Sequence, residues 1–181
     1  MRAWAAAAGA AGVWLVGREL GIGAVPLAQG ALVGGVLHLT CLTVLAVYGA
    51  QASGAHLRKV GILESFKHAV QPGLVYAVLG TAASAVWTYG VRSDLHDRIQ
   101  AERAAAVAAP FATDATYAHW RAETGAPEGV PRELARDQQL EAVKALDHPG
   151  VFIGMNVLGL AWGAALLAAV MTAVWRFVLG G

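Results

Sequence analysis

Charged and uncharged positions alternate along this chain in long blocks, and the blocks predict the elements. Ala3 to Gly17 is uncharged; Arg18 and Glu19 follow; then 38 residues, from Leu20 to Leu57, carry no formal charge. A basic turn comes next, with Arg58, Lys59, Lys67 and His68. It is succeeded by 23 uncharged residues from Ala69 to Val91. After a polar block from Arg92 to His148, a last uncharged run covers the 27 residues from Pro149 to Trp175. At ~1.5 Å per residue, about 20 residues cross a hydrocarbon core of about 30 Å, so the runs predict transmembrane helices.

Four are expected, at about 3–20, 27–48, 69–91 and 149–175. The first is short. Either Arg18 snorkels outward to the headgroups, or the helix runs on through Gly21 with Arg18 and Glu19 in the far interface. Its opening, one positive charge and then an apolar run, has the look of a signal peptide, but no clean small-x-small site closes it and a retained helix is expected. Gly21, Gly23 and Pro26 mark the turn into the second helix, which carries Gly30-x-x-x-Gly34 and Gly35, small residues that admit a neighbouring backbone. Pro72 falls in the first turn of the third helix as bounded here, and Trp87 and Tyr89 near its far end read as interfacial anchors.

The polar block holds seven of the 13 Lys and Arg and ten of the 12 Asp and Glu, which places it outside the membrane. Arg92 to Ala109 is alanine-rich, with Asp94, Arg98 and Glu102 at i,i+4 spacing, and stops at Pro110. Thr113 caps a short turn of helix ending at Gly125, gathering Phe111, Tyr117 and Trp120; Pro131 opens a helix to about Asp147. Residues 92–148 are therefore expected to form a helical hairpin inserted in a single membrane domain spanning 1–181. The fold class expected is all-α, a polytopic membrane protein with four spans.

Composition agrees with a bilayer as solvent: 57% of residues are hydrophobic, 14% charged, and mean hydropathy is +0.53. A net charge of +1 with scattered basic residues argues against a nucleic-acid partner. Cys41 is the one cysteine, so neither an intrachain disulfide nor a multi-cysteine metal cage can form. The side with both termini and the 58–67 turn holds five basic residues and one acid; the other holds eight basic and eleven acidic residues. Basic residues in short segments set topology, so the termini are expected in the cytoplasm of a bacterial inner membrane and residues 92–148 on the periplasmic or outer side.

The order short helix, helix, basic turn, helix, polar hairpin, helix is similar to that of the uncharacterised four-helix bacterial integral membrane proteins grouped as a domain of unknown function. Locally, the stretch Arg58 to Lys67 resembles that family's basic, glycine-containing turn leading to a Ser-Phe and a basic residue, here Ser65, Phe66 and Lys67. Asp147-His148-Pro149 resembles its polar-Pro start of the last helix. The chain departs from the family in its high alanine content and many tryptophans, and the resemblance implies no activity.

Candidate chemistry centres on His38, which lies near the bilayer midplane and shares a face with Cys41. The favoured reading is an interhelical hydrogen bond, to Asn156, Thr81 or Ser84; the others are an axial ligand to haem or a chlorophyll-type magnesium, and a proton-path residue. No metal site and no catalytic residues are expected, since no nucleophile–base pair, phosphate loop or His-Glu-x-x-His occurs. On the last helix Trp162 lies mid-span, and Gly159 and Gly163 form a small-residue face opposed to that of Gly150 and Gly154, read as an interface for a foreign helix. The function expected is a non-catalytic accessory or scaffold subunit packed against a larger inner-membrane complex, photosynthetic or respiratory. The alternative is a small carrier, channel or sensor with a polar site around His38.

Overall fold

The computed structural model describes residues 2–22, 30–54 and 61–179, and every regular element among them is helical. In chain order these are α1 (Arg2–Ile22), α2 (Gly30–Gly54), α3 (Ile62–Ala85), α4 (Ser93–Ala108), α5 (Asp114–Thr124), α6 (Arg132–Leu146) and α7 (Pro149–Val174). π-helical turns extend α3 over Val86–Val91 and α7 over Trp175–Leu179, and a 3₁₀ turn, Ala109–Phe111, follows α4. The Gly23–Pro26 turn, the start of the second helix at 27, and Arg58 and Lys59 lie outside the described residues.

Three segments are long and apolar enough to cross a membrane: Leu32–Ala52, Ile62–Val91 and Pro149–Phe177, of 21, 30 and 29 residues. α1 has the length, but Arg18, Glu19 and a run of Ala and Gly in place of Leu and Ile leave it less apolar. α3 is the centre, packed against α1, α2 and α7, while α2 also touches α1 and α7. Contacts between Trp87 and Glu19 at one end and between His68 and Gly49 at the other fix the arrangement as antiparallel, up and down.

The expected start of the third helix at Ala69 is corrected: α3 begins at Ile62. Glu64, Lys67 and His68, read from sequence as part of a turn, are helical, with Glu64 3.3 Å from Lys67 and 3.7 Å from His68 at i,i+3 and i,i+4. Such pairs favour a helix that continues past its apolar stretch. α2 likewise runs to Gly54 rather than stopping at Tyr48. Pro72 is therefore interior to α3, not in its first turn. It has no N–H for the carbonyl of His68, its i−4 acceptor. That carbonyl faces α2, where a Cβ on Gly49 would stand 2.7 Å from it and 2.9 Å from the Ala69 Cα.

This close approach heads a seam of small residues. Ala50 on α2, Ala69 on α3 and Ala168 on α7 bury one another, and a Cβ on Gly73 of α3 would stand 2.7 Å from the Ala164 Cβ of α7. Small residues let backbones meet, and dispersion rather than a hydrophobic drive then holds helices together in lipid. At the opposite end the bundle is filled by large rings, Trp14, Tyr76 and Trp87. The bundle is thus tight at the end of Arg2 and wide at the end of Glu19.

The polar segment follows its sequence signals closely. Thr113 and Thr116 form a reciprocal capping box at the start of α5, and Gly125, with φ 66°, ends it in the left-handed conformation. Phe111, Tyr117 and Trp120 collect against Ala135 of α6 and Val130 in a small core of their own, with Tyr117 donating to the Val130 carbonyl at 2.8 Å. α4 packs on α6. Asp94 pairs with Arg92 at 3.3 Å rather than with Arg98. The hydrogen bond from Arg92 holds the Asp94 carboxyl below its ordinary value, so the pair is intact at neutral pH and is lost as pH falls below the usual carboxylate range.

Gly49→Ala should lower the unfolding temperature of the detergent-solubilised protein, because the added methyl meets backbone; overpacking of this kind costs about 1–3 kcal/mol. Gly159→Ala, where a Cβ meets nothing within 4 Å, should leave it unchanged. Equal melting of the two variants would contradict the seam.

Candidate functional site

The wide end of the bundle contains a polar cluster assembled from three helices. On α1, Trp14 and Arg18 are one turn apart on the face toward α2 and α3. The Trp14 indole N–H donates to the Gly34 carbonyl of α2 at 3.1 Å, and its ring stacks on His38 with centroids 4.7 Å apart and planes 19° from parallel. His38 Nδ1 is 2.9 Å from the hydroxyl of Tyr76 on α3, near the middle of the Ile62–Val91 segment. The Trp14 ring also meets Trp87 edge-on at 6.4 Å. Cys41, one turn below His38, donates its S–H to the Ala10 carbonyl of α1 at 3.4 Å.

Charges lie above these rings. The Arg18 guanidinium sits 4.5 Å over the Trp87 ring centroid, a cation–π contact, and the residue is only 7% exposed. Trp87 Nε1 donates to Glu19 Oε2 at 2.9 Å, and Arg92 Nη1 donates to Glu19 Oε1 at 3.2 Å. The last turn of α3 makes this possible. The Arg92 N–H reaches back five residues to the Trp87 carbonyl at 2.8 Å, so one extra residue is accommodated and the ring positions rotate. π-helical turns of this kind recur at functional sites.

Two expectations are corrected here. Of the two arrangements expected for α1, the longer helix is the one observed, running through Gly21 to Ile22, but Arg18 does not snorkel outward: its guanidinium turns into the bundle. Trp87 and Tyr89 are not lipid-facing anchors. Trp87 is buried, and the Tyr89 hydroxyl donates to the Asp147 carbonyl at 3.4 Å, with its ring edge-on to His96 and Phe152.

Beneath the polar helices the cluster borders a cavity of about 640 Å³. Its bundle side is formed by Trp14, Arg18, His38, Ser84, Trp87 and Asn156; its other wall comes from Leu95, Ile99 and Ala106 of α4, and Arg103 and Asp147 bridge across it at 3.2 Å. The cavity combines apolar and aromatic walls with a few polar groups, the usual make-up of a small-molecule site.

Of the residues singled out from sequence, His38, Ser84 and Asn156 line this cavity. His38 is paired with Tyr76, not with Asn156, Thr81 or Ser84. Asn156 bonds within its own helix to the Phe152 carbonyl at 2.9 Å, and the buried Thr81 hydroxyl has no hydrogen-bond partner among the described residues. Gly159 and Gly163 do not form one outer face: a Cβ on Gly163 would stand 3.1 Å from Leu42 of α2, inside the bundle, whereas Gly159 is open. The 100° step per residue predicts that they share a side but not which neighbour that side meets. Trp162 is 68% exposed on the outer surface of α7. Among the described residues, no group of three or more His, Cys, Asp or Glu is placed to hold a metal ion.

Trp14, Arg18, Glu19, Tyr76 and Trp87 were not singled out as site residues from sequence. A Trp and an Arg at i,i+4 in one apolar helix is a signal that was there to be used; Tyr76, a lone hydroxyl in an uncharged run, gives almost none. Compared with protein-family models, curated proteins and solved structures, the chain matches none.

His38→Leu and Tyr76→Phe should each lower unfolding stability by about 0.5–1.5 kcal/mol, and a double-mutant cycle should show that the two losses overlap. Fully additive losses would contradict the pair. If His38 only packs, absorption spectra of the purified wild type and His38→Leu should match; loss of a Soret or near-infrared band in the variant would point to ligation instead.

Proposed function

We propose that this is a four-span membrane protein in which α1 is the fourth span, and that its wide end is a small-molecule binding site of a carrier or sensor, without catalytic chemistry. The observation carrying this reading is the cavity of about 640 Å³ that brings His38, Ser84, Asn156 and Arg18 to one space beside apolar helices. Ionisable and polar groups held inside an apolar bundle are costly unless partnered, and they mark ligand or ion paths. The same reading puts α4–α6 on the outer side of a bacterial inner membrane as a helical hairpin covering the cavity, with the termini in the cytoplasm, as the distribution of basic residues favours. Kinship with the four-helix family of unknown function belongs to this proposal and is supported by the order of elements.

A second reading, a non-catalytic subunit of a larger photosynthetic or respiratory complex, has one observation in its favour. Trp162 is exposed mid-helix, away from either interfacial belt, next to the open Gly159. With Gly163 turned inward, what remains of the partner face expected from sequence is Trp162 and Gly159, on a helix that also exposes Met155, Leu158 and Leu166.

Access to the cavity tests the first reading. In a Cys41→Ala background, Ser84→Cys, which lines the cavity, should react with a small, membrane-impermeant thiol reagent added from the outer side, while Ala77→Cys, 1% exposed in the core two turns below it, should not. Equal protection of both positions would remove the open cavity on which the proposal stands.

A further inference from the structure

We infer that the end of the bundle opposite the wide one holds an anionic glycerophospholipid, its phosphodiester against Arg2 and its headgroup among polar side chains of α2 and α3. The inference is independent of the binding role proposed for the wide end. Among the described residues, the seam of Ala50, Ala69 and Ala168 draws α2, α3 and α7 together and includes nothing from α1. Between the first turn of α1 and the packed α2 and α3 lies a second cavity of about 430 Å³, within the range of about 300–1,000 Å³ usual for ligand clefts. Arg2, Tyr48, Gln51, His68 and Gln71 line it, together with Pro72. Arg2 makes no ion pair among the described residues. Its planar guanidinium suits a phosphate, and the two side-chain amides and the phenol supply further donors.

Charge and position select an anionic lipid. The described lining residues include no acid, and Glu64, two turns before Gln71 on α3, stands 3.3 Å from Lys67 and 3.7 Å from His68. An ammonium headgroup would therefore meet Arg2 and no free carboxylate, whereas an uncharged polar headgroup such as glycerol fits. The cavity lies where the Leu32–Ala52 segment ends and α1 begins, which is the level of lipid headgroups. Exposed apolar tracks lead from it toward the middle of the bundle. Val44 is one turn from Tyr48 on α2, and Leu74 and Val78 follow Gln71 along one stripe of α3. Acyl chains lying on these tracks would tether the headgroup, which a free phosphate lacks. This end of the sequence also holds five basic residues and one acid, and basic pockets between membrane helices gather anionic headgroups.

Native mass spectrometry tests this on the full chain, stripped of lipid in a neutral detergent and then given equal amounts of phosphatidylglycerol and phosphatidylethanolamine with the same acyl chains. Phosphatidylglycerol should be retained at an occupancy at least about fivefold that of phosphatidylethanolamine, the factor equivalent to the roughly 1 kcal/mol that one basic residue contributes at an anionic membrane surface. Arg2→Gln combined with His68→Gln should lose the preference. Both side chains are exposed, so the lipid-free double variant should melt with the wild type; if it melts lower, Arg2→Gln alone carries the test. Arg132→Gln, which removes one positive charge from the polar segment, should keep the preference. Equal retention of the two lipids, or an equal loss in Arg132→Gln and Arg2→Gln, would overturn the inference. Displacement of phosphatidylglycerol by an equal concentration of inorganic phosphate would make free phosphate the ligand and overturn the lipid.

Discussion

The stacking of Trp14 on His38 is the contact on which the wide end of the molecule depends. It brings an indole N–H to the Gly34 carbonyl and leaves His38 Nδ1 facing the Tyr76 hydroxyl, so that three helices are joined through one pair of rings. The Tyr76 hydroxyl belongs to a fully buried residue, where water does not replace a lost partner. A buried donor or acceptor left alone costs about 1–3 kcal/mol, whereas each bond made adds less than that. The network therefore fixes register and orientation more than it adds stability. If α1 slid along the bundle by one turn, the indole would lose the Gly34 carbonyl and the His38 ring together, while the His38–Tyr76 bond between α2 and α3 would remain.

Function at this end follows from a taper. Where Gly49, Gly73, Ala69, Ala164 and Ala168 meet, the backbones come as close as side chains allow. Toward Glu19 the helices are held apart by two tryptophans and a tyrosine, and the π-helical turn of α3 rotates Trp87 inward beneath Arg18. The rings that prop the helices apart also wall the cavity between them, while α4 closes its outer side. Packing and site are one construction, which explains why an arginine is tolerated in so apolar a setting: its charge lies on an aromatic face beside polar groups rather than in hydrocarbon.

Much of the fold was legible in the charge pattern. Thr113, Gly125, Pro131 and Pro149 marked helix ends through capping geometry that is local in sequence, and the three most apolar segments were found from length alone. Errors came where a rule about the bilayer was applied to a residue facing its own protein. Glu64, Lys67 and His68 were taken for a turn because charges end an apolar run, although helical ion pairs carry α3 well beyond that point. Arg18, Trp87 and Tyr89 were assigned to the headgroups because of their height in the membrane; height is readable from sequence, but azimuth, the direction in which each side chain faces, depends on neighbours and on a π-helical turn. The cavity was invisible for the same reason, since its walls come from α1, α2, α3, α4 and α7, and only the relative register of those helices creates it.

The central claim is that α1 belongs to the bundle in the register that sets Trp14 on His38, and the native Cys41 offers a direct measurement. Its sulfur lies 3.4 Å from the Ala10 carbonyl oxygen, one turn of α1 below Trp14. Replacing Ala10 by cysteine and oxidising the protein mildly in membranes should join α1 to α2 within a single chain. Mass spectrometry of peptides cleaved between the two helices would show them linked, with the protein still running as a monomer. Two free thiols, or disulfides only between chains, would mean that α1 lies elsewhere, and the cavity built on its far end would fall with it.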